Sequence, residues 1–424
     1  MNDQQLCAGL ARFLDASPCA FDAAGELTGR LAAEGFEPLA LSDGWVLTPG
    51  GKYYVPLGDN AVIAFRAGRE RGFMIAAAHT DSPCFHLKPN PVMKEGGVVK
   101  LNVEPYGGML YYSWLDRPLA LCGRAIFESG SGLTVRRVLI RGAAVIPSLA
   151  IHLNREANKS LALNPQTDLL PVVTLGGEFD LEAALADACG ESGRLLDHDL
   201  FLCADQPART AGLHGELLVS PRLDDLASLY GCTEAFFAAD CPATAVLCAF
   251  SSEEIGSRTF SGAGSTALAA ILGRISAALG HDPVSDLADS FLVSADNAHA
   301  AHPNAGAKSD PTNQVRLGGG VVIKHHDHYT TNGYTAAVFK ELCRLGGADW
   351  QDFASRSDGS CGGTLGVVSL GQVTVPSVDI GIPQLAMHAA VETMAWADLG
   401  HFTAAMKSFY SHRVVRRGDR ADLL

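Results

Sequence analysis

The chain has 424 residues, 47% of them hydrophobic, which is enough for roughly two to three domains with buried cores. Its formal net charge is −14, and it has no basic run long enough to neutralise a series of phosphates, so nucleic acid is not an expected partner. It also lacks an apolar stretch of membrane-spanning length and an N-terminal secretory signal. We therefore expect a cytoplasmic protein without a membrane partner.

The eleven cysteines form no C-x-x-C pair. This pattern argues against a disulfide framework and against a zinc site built from thiolates. Several cysteines lie inside apolar runs, such as Cys248 in TAVLCAF, where a reduced cysteine behaves as a small buried hydrophobic residue. Cys84 is an exception because it follows HTDS, a segment with candidate site residues.

Helical and strand-like segments follow one another in a clear order. Residues 1–35 have apolar positions at helical spacing, with an interruption expected at Pro18. Residues 45–68 alternate strand segments with PGG and GDN turns, which predicts connected hairpins. Strand and turn signals also dominate from about residue 90 to 215, where RAIFE and LTVRRVLI flank SGSG as in a β-hairpin.

After residue 216, apolar runs alternate with helical segments. ELLVS, TAVLCAF and SFLVSA are runs of this kind, and such alternation is typical of an α/β layer with a largely parallel sheet. We predict an α/β fold with a mixed, largely parallel sheet flanked by helices. Residues 1–90 and 216–424 would form this domain, and residues 91–215 would be an inserted β-rich domain.

Polar residues directly after the apolar runs are the candidates for chemistry, because ligands of open α/β sheets bind at the carboxyl ends of the strands. A set of histidines and carboxylates without cysteine suits zinc, manganese or cobalt. The candidates at run ends or in the adjoining loop are His79, Asp81, Asp224, Glu253, Glu254, Asp296 and His388.

The spacing of these residues within each motif suggests a metallohydrolase. Asp81 lies two residues after His79 and could orient its ring. Glu253 and Glu254 are adjacent and cannot share a face of a strand, so one can bind metal while the other moves a proton. Four carboxylates in one site would repel one another without cations, which favours two divalent ions over one.

Seven motifs stand out along the chain. They are HTDSPCFHLKP at 79–89, WLDRPL at 114–119, AIHLNRE at 150–156, SPRLDDL at 220–226, SSEEIGS at 251–257, SADNAHAAHPN at 294–304 and PQLAMHAAVE at 383–392. In this order they closely resemble the aspartyl aminopeptidase family. The family's members are cytosolic metallopeptidases with two zinc ions, a zinc-exopeptidase-like α/β domain interrupted by a β-rich domain, and a tetrahedral homododecamer. The resemblance implies that this chain removes N-terminal Asp or Glu from peptides.

The resemblance also implies a ligand set. Asp224 would bridge two zinc ions, for which Mn²⁺ or Co²⁺ could substitute. His79 and Asp296 would complete one metal, and Glu254 and His388 would complete the other.

Further roles are carried over in the same way. Glu253 would be the general base and Asp81 the partner of His79. Lys324 matches the lysine that approaches the acidic side chain of the substrate. His299 and His302 match histidines of the substrate pocket.

His152 matches a histidine that a neighbouring subunit donates to the active site, so full activity would require assembly. Arg356, Asp358 and Ser360 fall where the family has a loop near the site. Asp225 stands where many members carry Asn.

Alternatives remain open at this stage. The chain could be a related two-metal peptidase or deacylase with another substrate, or an assembly protein without activity. The run of residues 324–328, KHHDH, could itself form a small metal site, although a solvated loop or assembly surface is favoured because adjacent histidine side chains of an extended segment point in opposite directions.

Overall fold

The N-terminal segment forms two helices, separated at Pro18 as predicted. A computed structural model describes residues 3–176, 179–240, 242–359 and 361–424, so Cys241 and Ser360 lie outside the described residues. The helices are α1 (Asp3–Ala16), α2 (Ala20–Ala33), α3 (Leu181–Cys189), α4 (Leu223–Ala238), α5 (Ala267–Leu279), α6 (Pro283–Ala288), α7 (Gly333–Gly346), α8 (Leu365–Leu370) and α9 (Trp396–Ser411).

The strands fall into a large sheet, a barrel and two smaller sheets. In chain order they are β1 (Glu37–Pro38), β2 (Lys52–Leu57), β3 (Ala61–Arg66), β4 (Phe73–His79), β5 (Cys84–Glu95), β6 (Val98–Tyr106), β7 (Pro118–Ser129), β8 (Gly132–Val145), β9 (Val172–Leu175), β10 (Leu195–Ala204), β11 (Arg209–Ala211), β12 (Leu217–Ser220), β13 (Thr244–Phe250), β14 (Phe291–Ala295), β15 (Ala298–His299), β16 (Val321–His325), β17 (Trp350–Ala354), β18 (Ser377–Gly381), β19 (Pro383–Leu385), β20 (Glu392–Ala395), β21 (Val414–Arg417) and β22 (Arg420–Leu423).

The large sheet has the order β1-β2-β3-β13-β4-β14-β18-β16-β17 within the described residues. Its central strands β13, β4, β14 and β18 are parallel neighbours, whereas β3 and β16 join this group through antiparallel pairs. The mixed, largely parallel sheet predicted from the sequence is therefore confirmed.

Helices cover both faces of this sheet, which is why its central strands are buried throughout. In β13, Leu247 faces the core formed with α1, α2, α4, α7 and α9, while Val246 and Phe250 face the core formed with α5 and α8. A strand buried on both faces has no polar alternation, as expected for a parallel sheet between helices. The carboxyl ends of β4, β13 and β14 consequently lie side by side at one edge.

The β-rich part of the chain closes into a barrel of order β10-β5-β6-β9-β8-β7 in the described residues. The predicted hairpin is formed by β7 and β8. Phe85, Trp114, Phe127 and Leu202 are among the side chains that fill its core. The barrel strands run from Cys84 to Ala204, and the division of the chain at residues 90 and 216 stays a prediction.

The remaining strands form two smaller sheets. A sheet of order β11-β12-β20-β19-β15 combines strands from residues 209–220, 298–299 and 383–395, and β21 pairs with β22 near the C-terminus. Among the described helices, none combines the length and apolar character needed to cross a membrane.

Candidate metal centre

Asp224 lies between two histidines that come from distant parts of the chain. Its Oδ1 is 3.5 Å from Nε2 of His79, at the end of β4, and its Oδ2 is 3.5 Å from Nε2 of His388, which follows β19. The carboxylate is buried at the start of α4, and the peptide bond between Asp224 and Asp225 is cis. One side chain thus links the edges of two sheets.

Backbone carbonyls orient both histidines. Nδ1 of His79 lies 2.9 Å from the carbonyl oxygen of Asp81, and Nδ1 of His388 lies 2.8 Å from that of Gly108. Because a carbonyl only accepts, each Nδ1 donates, so in the neutral form of each ring Nε2 would have the lone pair that a metal ligand needs. The sequence predicted the Asp81 carboxylate as the partner of His79, but that group lies farther away, at 3.5 Å.

Two groups of side chains have ligand atoms within 4.8 Å of one another, and Asp224 belongs to both. One of the two groups includes Asp225, which the sequence analysis did not place among the ligands. The carboxylate oxygens of Asp225 accept hydrogen bonds from the backbone amides of His79 and Asn297, each at 3.2 Å. The sequence-derived candidates therefore converge in space. One group is His79, Asp224, Asp225 and Asp296, and the other is Asp224, Glu254 and His388.

The electrostatics of this cluster favour a cation. Burial alone would lower the pKa of His388, but Asp224 and Glu254 outweigh it and raise that pKa to about 10. The pKa of His79 is raised well above its usual range against burial, by Asp224 and Asp81. Oδ1 of Asp224 and Oε1 of Glu254 are buried without a hydrogen-bond partner. Strong negative potential and orphaned oxygens fit a metal centre.

Glu253 lies outside both ligand groups of the described residues, in a short 3-10 turn after β13. The carboxylate of Asp81 accepts hydrogen bonds from the backbone amides of Glu253 at 3.1 Å and Glu254 at 3.2 Å, and from the Tyr106 hydroxyl at 2.9 Å. Burial raises the pKa of Glu253 to about 7. Asp81 therefore holds the loop that carries a carboxyl group able to exchange a proton near neutrality.

Glu392 is a central part of the site that the sequence analysis missed. Its Oε2 accepts from the backbone amide of Asp224 at 3.0 Å, and its Oε1 accepts from that of His388 at 2.8 Å and from Gln384 Nε2 at 3.2 Å. Burial and the nearby Asp224 raise the pKa of Glu392 to about 8. The sequence offered one indication, because Glu392 is the last residue of the PQLAMHAAVE motif. A single acidic residue on a short strand, however, forms no pattern that predicts a functional role.

Lys324 lies beside the cluster, with Nζ 3.7 Å from Oδ1 of Asp296 and only 4% of its surface exposed. The ring of His299 packs edge-on against Phe353 at 4.9 Å, and burial together with the charge of Lys324 lowers its pKa. His302 is exposed, and its Nδ1 accepts from the amide of Asn304 at 3.2 Å.

Other predicted positions lie apart from the cluster. His152 is exposed, and no hydrogen bond or ion pair among the described residues joins it to the metal centre. His325 pairs with Asp352 at 2.7 Å, and the half-buried His326 and the exposed His328 belong to neither ligand group of the described chain. Arg356 pairs with Asp358 at 2.7 Å.

The family model described as "Aminopeptidase I zinc metalloprotease (M18)" matches residues 13–410. The chain belongs to the M18 aminopeptidase family. The resemblance found in the sequence is thereby confirmed at the level of this family of zinc metalloproteases, whose members are hydrolases of the aminopeptidase class.

Two curated relatives cover nearly the whole chain. The probable M18 family aminopeptidase 2 of Pseudomonas putida (strain GB-1) is 38% identical over 423 residues, covering 96% of this chain and 98% of the relative. The protein of the same description from Pseudomonas aeruginosa (strain UCBPP-PA14) is 39% identical over 427 residues, with the same coverage of 96% and 98%.

Solved M18 structures have the same fold. The chain matches a cryo-EM structure of the Ape4 and Nbr1 complex with a TM-score of 0.92 and 32% identity, covering 96% of this chain and 86% of that one. It matches the mApe1 dodecamer of S. cerevisiae with a TM-score of 0.83 and 23% identity, covering 96% of each chain.

We expect Glu392→Gln to weaken zinc binding by about 10-fold to 100-fold, because an amide nitrogen would replace one of the two oxygens that accept from Asp224 and His388. Competition with a coloured chelator measures this affinity. The matched control is Glu341→Gln, which removes an exposed carboxylate paired with Arg344. Equal zinc affinity of both variants would contradict the role assigned to Glu392.

Proposed function

We propose that this aminopeptidase removes N-terminal Asp and Glu residues from peptides with the help of two zinc ions. The observation that carries the two-metal part is the membership of Asp224 in both ligand groups. A carboxylate has two oxygens and can serve one ion with each. Mn²⁺ or Co²⁺ would suit the same histidine and carboxylate ligands.

The ligands divide between two positions in this proposal. His79, Asp224 and Asp296 hold one ion, and Asp224, Glu254 and His388 hold the other. Asp225 supports the first position through backbone amides and donates no ligand. When bound, zinc supplies a water of lowered pKa and polarises the carbonyl of the scissile peptide bond.

Glu253 acts as the general base in this proposal. Its carboxylate accepts a proton from the attacking water and then delivers that proton to the nitrogen of the leaving amine. Burial raises the pKa of this carboxyl group, which strengthens it as the proton acceptor in the first transfer. Asp81 and Tyr106 keep the turn in position through the hydrogen bonds to the backbone of Glu253 and Glu254.

The acidic specificity rests on Lys324. A protein with net charge −14 repels an acidic substrate unless the pocket is locally positive. Lys324 places a buried cation within side-chain reach of the proposed ligand Asp296, where it can pair with a substrate carboxylate. His299 and His302 complete the pocket as polar groups, and the lowered pKa of His299 keeps its ring neutral so that it binds by a hydrogen bond.

The test is hydrolysis of matched chromogenic substrates with N-terminal Asp, Glu, Leu and Lys at equal metal content. Wild type should prefer Asp and Glu. Glu253→Gln should lower turnover of both by about 10²-fold to 10⁴-fold while both metals stay bound. Lys324→Met should lower kcat/KM for Asp by about 100-fold relative to Leu, whereas Lys340→Met, which removes a cation paired with Asp352, should not.

Three outcomes would contradict the proposed function. A wild-type preference for Leu would replace the acidic specificity with that of a related peptidase that has a different pocket. Inactivity of wild type on all four substrates, with zinc bound, would favour an assembly protein without activity. Full activity of Glu253→Gln would remove the proposed base.

We further propose that the chain works in the cytoplasm as a tetrahedral homododecamer and that the barrel domain serves assembly. Apolar side chains on the loop after β8 are exposed in the single chain, with Leu153 reaching 74%. Leu149 and Ile151 of the same loop are exposed too. Such a patch is typical of a surface that another subunit covers. His152 lies within it, so assembly would carry this histidine to a neighbouring site.

Mixed oligomers test the donation of His152. We expect His152→Ala and Glu253→Gln each to be poorly active alone, whereas co-expressed chains should regain about a quarter of wild-type activity, because some sites then combine Glu253 with a neighbour's His152. Differently tagged chains allow purification of the mixture. His214→Ala removes another exposed histidine and should stay active alone. A mixture no more active than its separate parts would refute donation between subunits.

A further inference from the structure

Four buried cysteines converge at the junction of the barrel and the N-terminal helices. They come from distant positions in the sequence, at the start of α2 and in three barrel strands, and they pack in one hydrophobic core. Cys84, which follows the segment of His79 and Asp81, is one of them. The members of this thiol cluster are Cys19, Cys84, Cys122 and Cys203.

Cys203 accepts a hydrogen bond within the thiol cluster. The thiol of Cys122 donates to its Sγ at 3.3 Å. Hydrogen bonds from Cys122 and Cys84, helped by the charge of Arg222, lower the pKa of Cys203 well below its usual range against the effect of burial. Contacts with Cys19 and Cys203 raise the pKa of Cys122, and burial raises that of Cys84. Within the thiol cluster, Cys203 is therefore the residue that most readily forms a thiolate.

A cavity gives small molecules a route to this thiolate. Its volume is about 390 Å³, and Cys19, Cys84 and Cys203 line one part of it. Asp81 and Glu392, which support the metal centre, line another part. Cys122 is fully buried behind Cys203. A reagent in the cavity would therefore meet Cys203 first and Cys122 only through it.

The arrangement favours chemistry between two sulfur atoms over metal binding. Among the described residues, the groups of ligand atoms close enough to surround one ion are those that contain Asp224, and the thiol cluster does not form another. Cys122 lies opposite Phe201 in the β7·β10 pair, so Cys203 is two residues farther along on the same face. Side chains at this offset can touch across a sheet.

We propose that Cys203 and Cys122 form a peroxide-reactive dithiol beside the metal centre. The Cys203 thiolate attacks one oxygen of hydrogen peroxide, so an S–O bond forms, the O–O bond breaks and hydroxide leaves. The Cys122 sulfur then attacks the sulfur of the resulting sulfenic acid. The S–S bond forms, hydroxide leaves and takes the proton of Cys122 as water, and two electrons have passed from the thiols to the peroxide.

The test uses the zinc-loaded full chain after removal of reductant. Hydrogen peroxide is added, samples are quenched with N-ethylmaleimide under denaturing conditions, and peptides are mapped by mass spectrometry. Cys203 and Cys122 should lose free thiol about tenfold faster than Cys343, a buried cysteine of α7. Their peptides should appear cross-linked, about 2 Da lighter than the reduced pair, and dithiothreitol should restore both.

A variant separates the two steps. In the double variant Cys84→Ser/Cys122→Ser, which removes both thiols that hydrogen-bond to Cys203, the sulfenic acid of Cys203 should accumulate as a dimedone adduct, while Cys343→Ala should behave as wild type. The proposal is overturned if Cys7, Cys189 or Cys361, which are less buried, oxidise while Cys203 keeps its thiol. Cross-linked peptides in wild type decide the question even if the variant fails to fold.

Discussion

The carboxylate of Asp224 between two histidine rings is the contact on which the rest of the site depends. His79 ends a strand of the large sheet, His388 follows a strand of the smaller sheet, and Asp224 begins the helix between them in the chain. These three ionisable groups, of which His79 and Asp224 are buried and His388 is half-buried, strongly shift one another's proton affinities. Bound cations would turn this costly concentration of negative charge into a stable centre.

The surrounding structure preserves this arrangement through backbone groups. Glu392 accepts from the amides of Asp224 and His388, so one side chain sets the spacing of two proposed ligands. The barrel side contributes the carbonyl of Gly108 to His388 and the hydroxyl of Tyr106 to Asp81. The inserted β-rich part is therefore a component of the centre within a single chain, in addition to any role in assembly.

The sequence predicted those parts of the fold and site that follow from local pattern. The apolar runs predicted the central strands. Because the carboxyl ends of neighbouring parallel strands share one edge of a sheet, the sequence also predicted that His79, Glu254 and Asp296 lie near one another. Closure of the barrel depends on pairing between β7 and β10, which no local pattern encodes. Glu392 was not predicted for a similar reason. Its role is to accept hydrogen bonds from backbone amides that are distant in sequence and reach it only in the folded chain.

The contact between Cys122 and Cys203 is also a feature that local sequence pattern does not predict. Each of them, taken alone, has the signature of a small buried hydrophobic residue, and the burial of Cys122 and Cys203 agrees with that. Their contact arises because two barrel strands pair in a particular register. Chemistry that depends on such a pair becomes visible only when the strands are aligned in space.

Metal stoichiometry of variants tests the shared role of Asp224 most directly. Zinc per chain would be measured by mass spectrometry of the element after dialysis against dilute zinc, for wild type, Asp224→Ala and His388→Ala. We expect about two ions in wild type, about one in His388→Ala and close to none in Asp224→Ala, because Asp224 is the residue of the described ligand groups that serves both positions. Retention of one tightly bound ion by Asp224→Ala would contradict it.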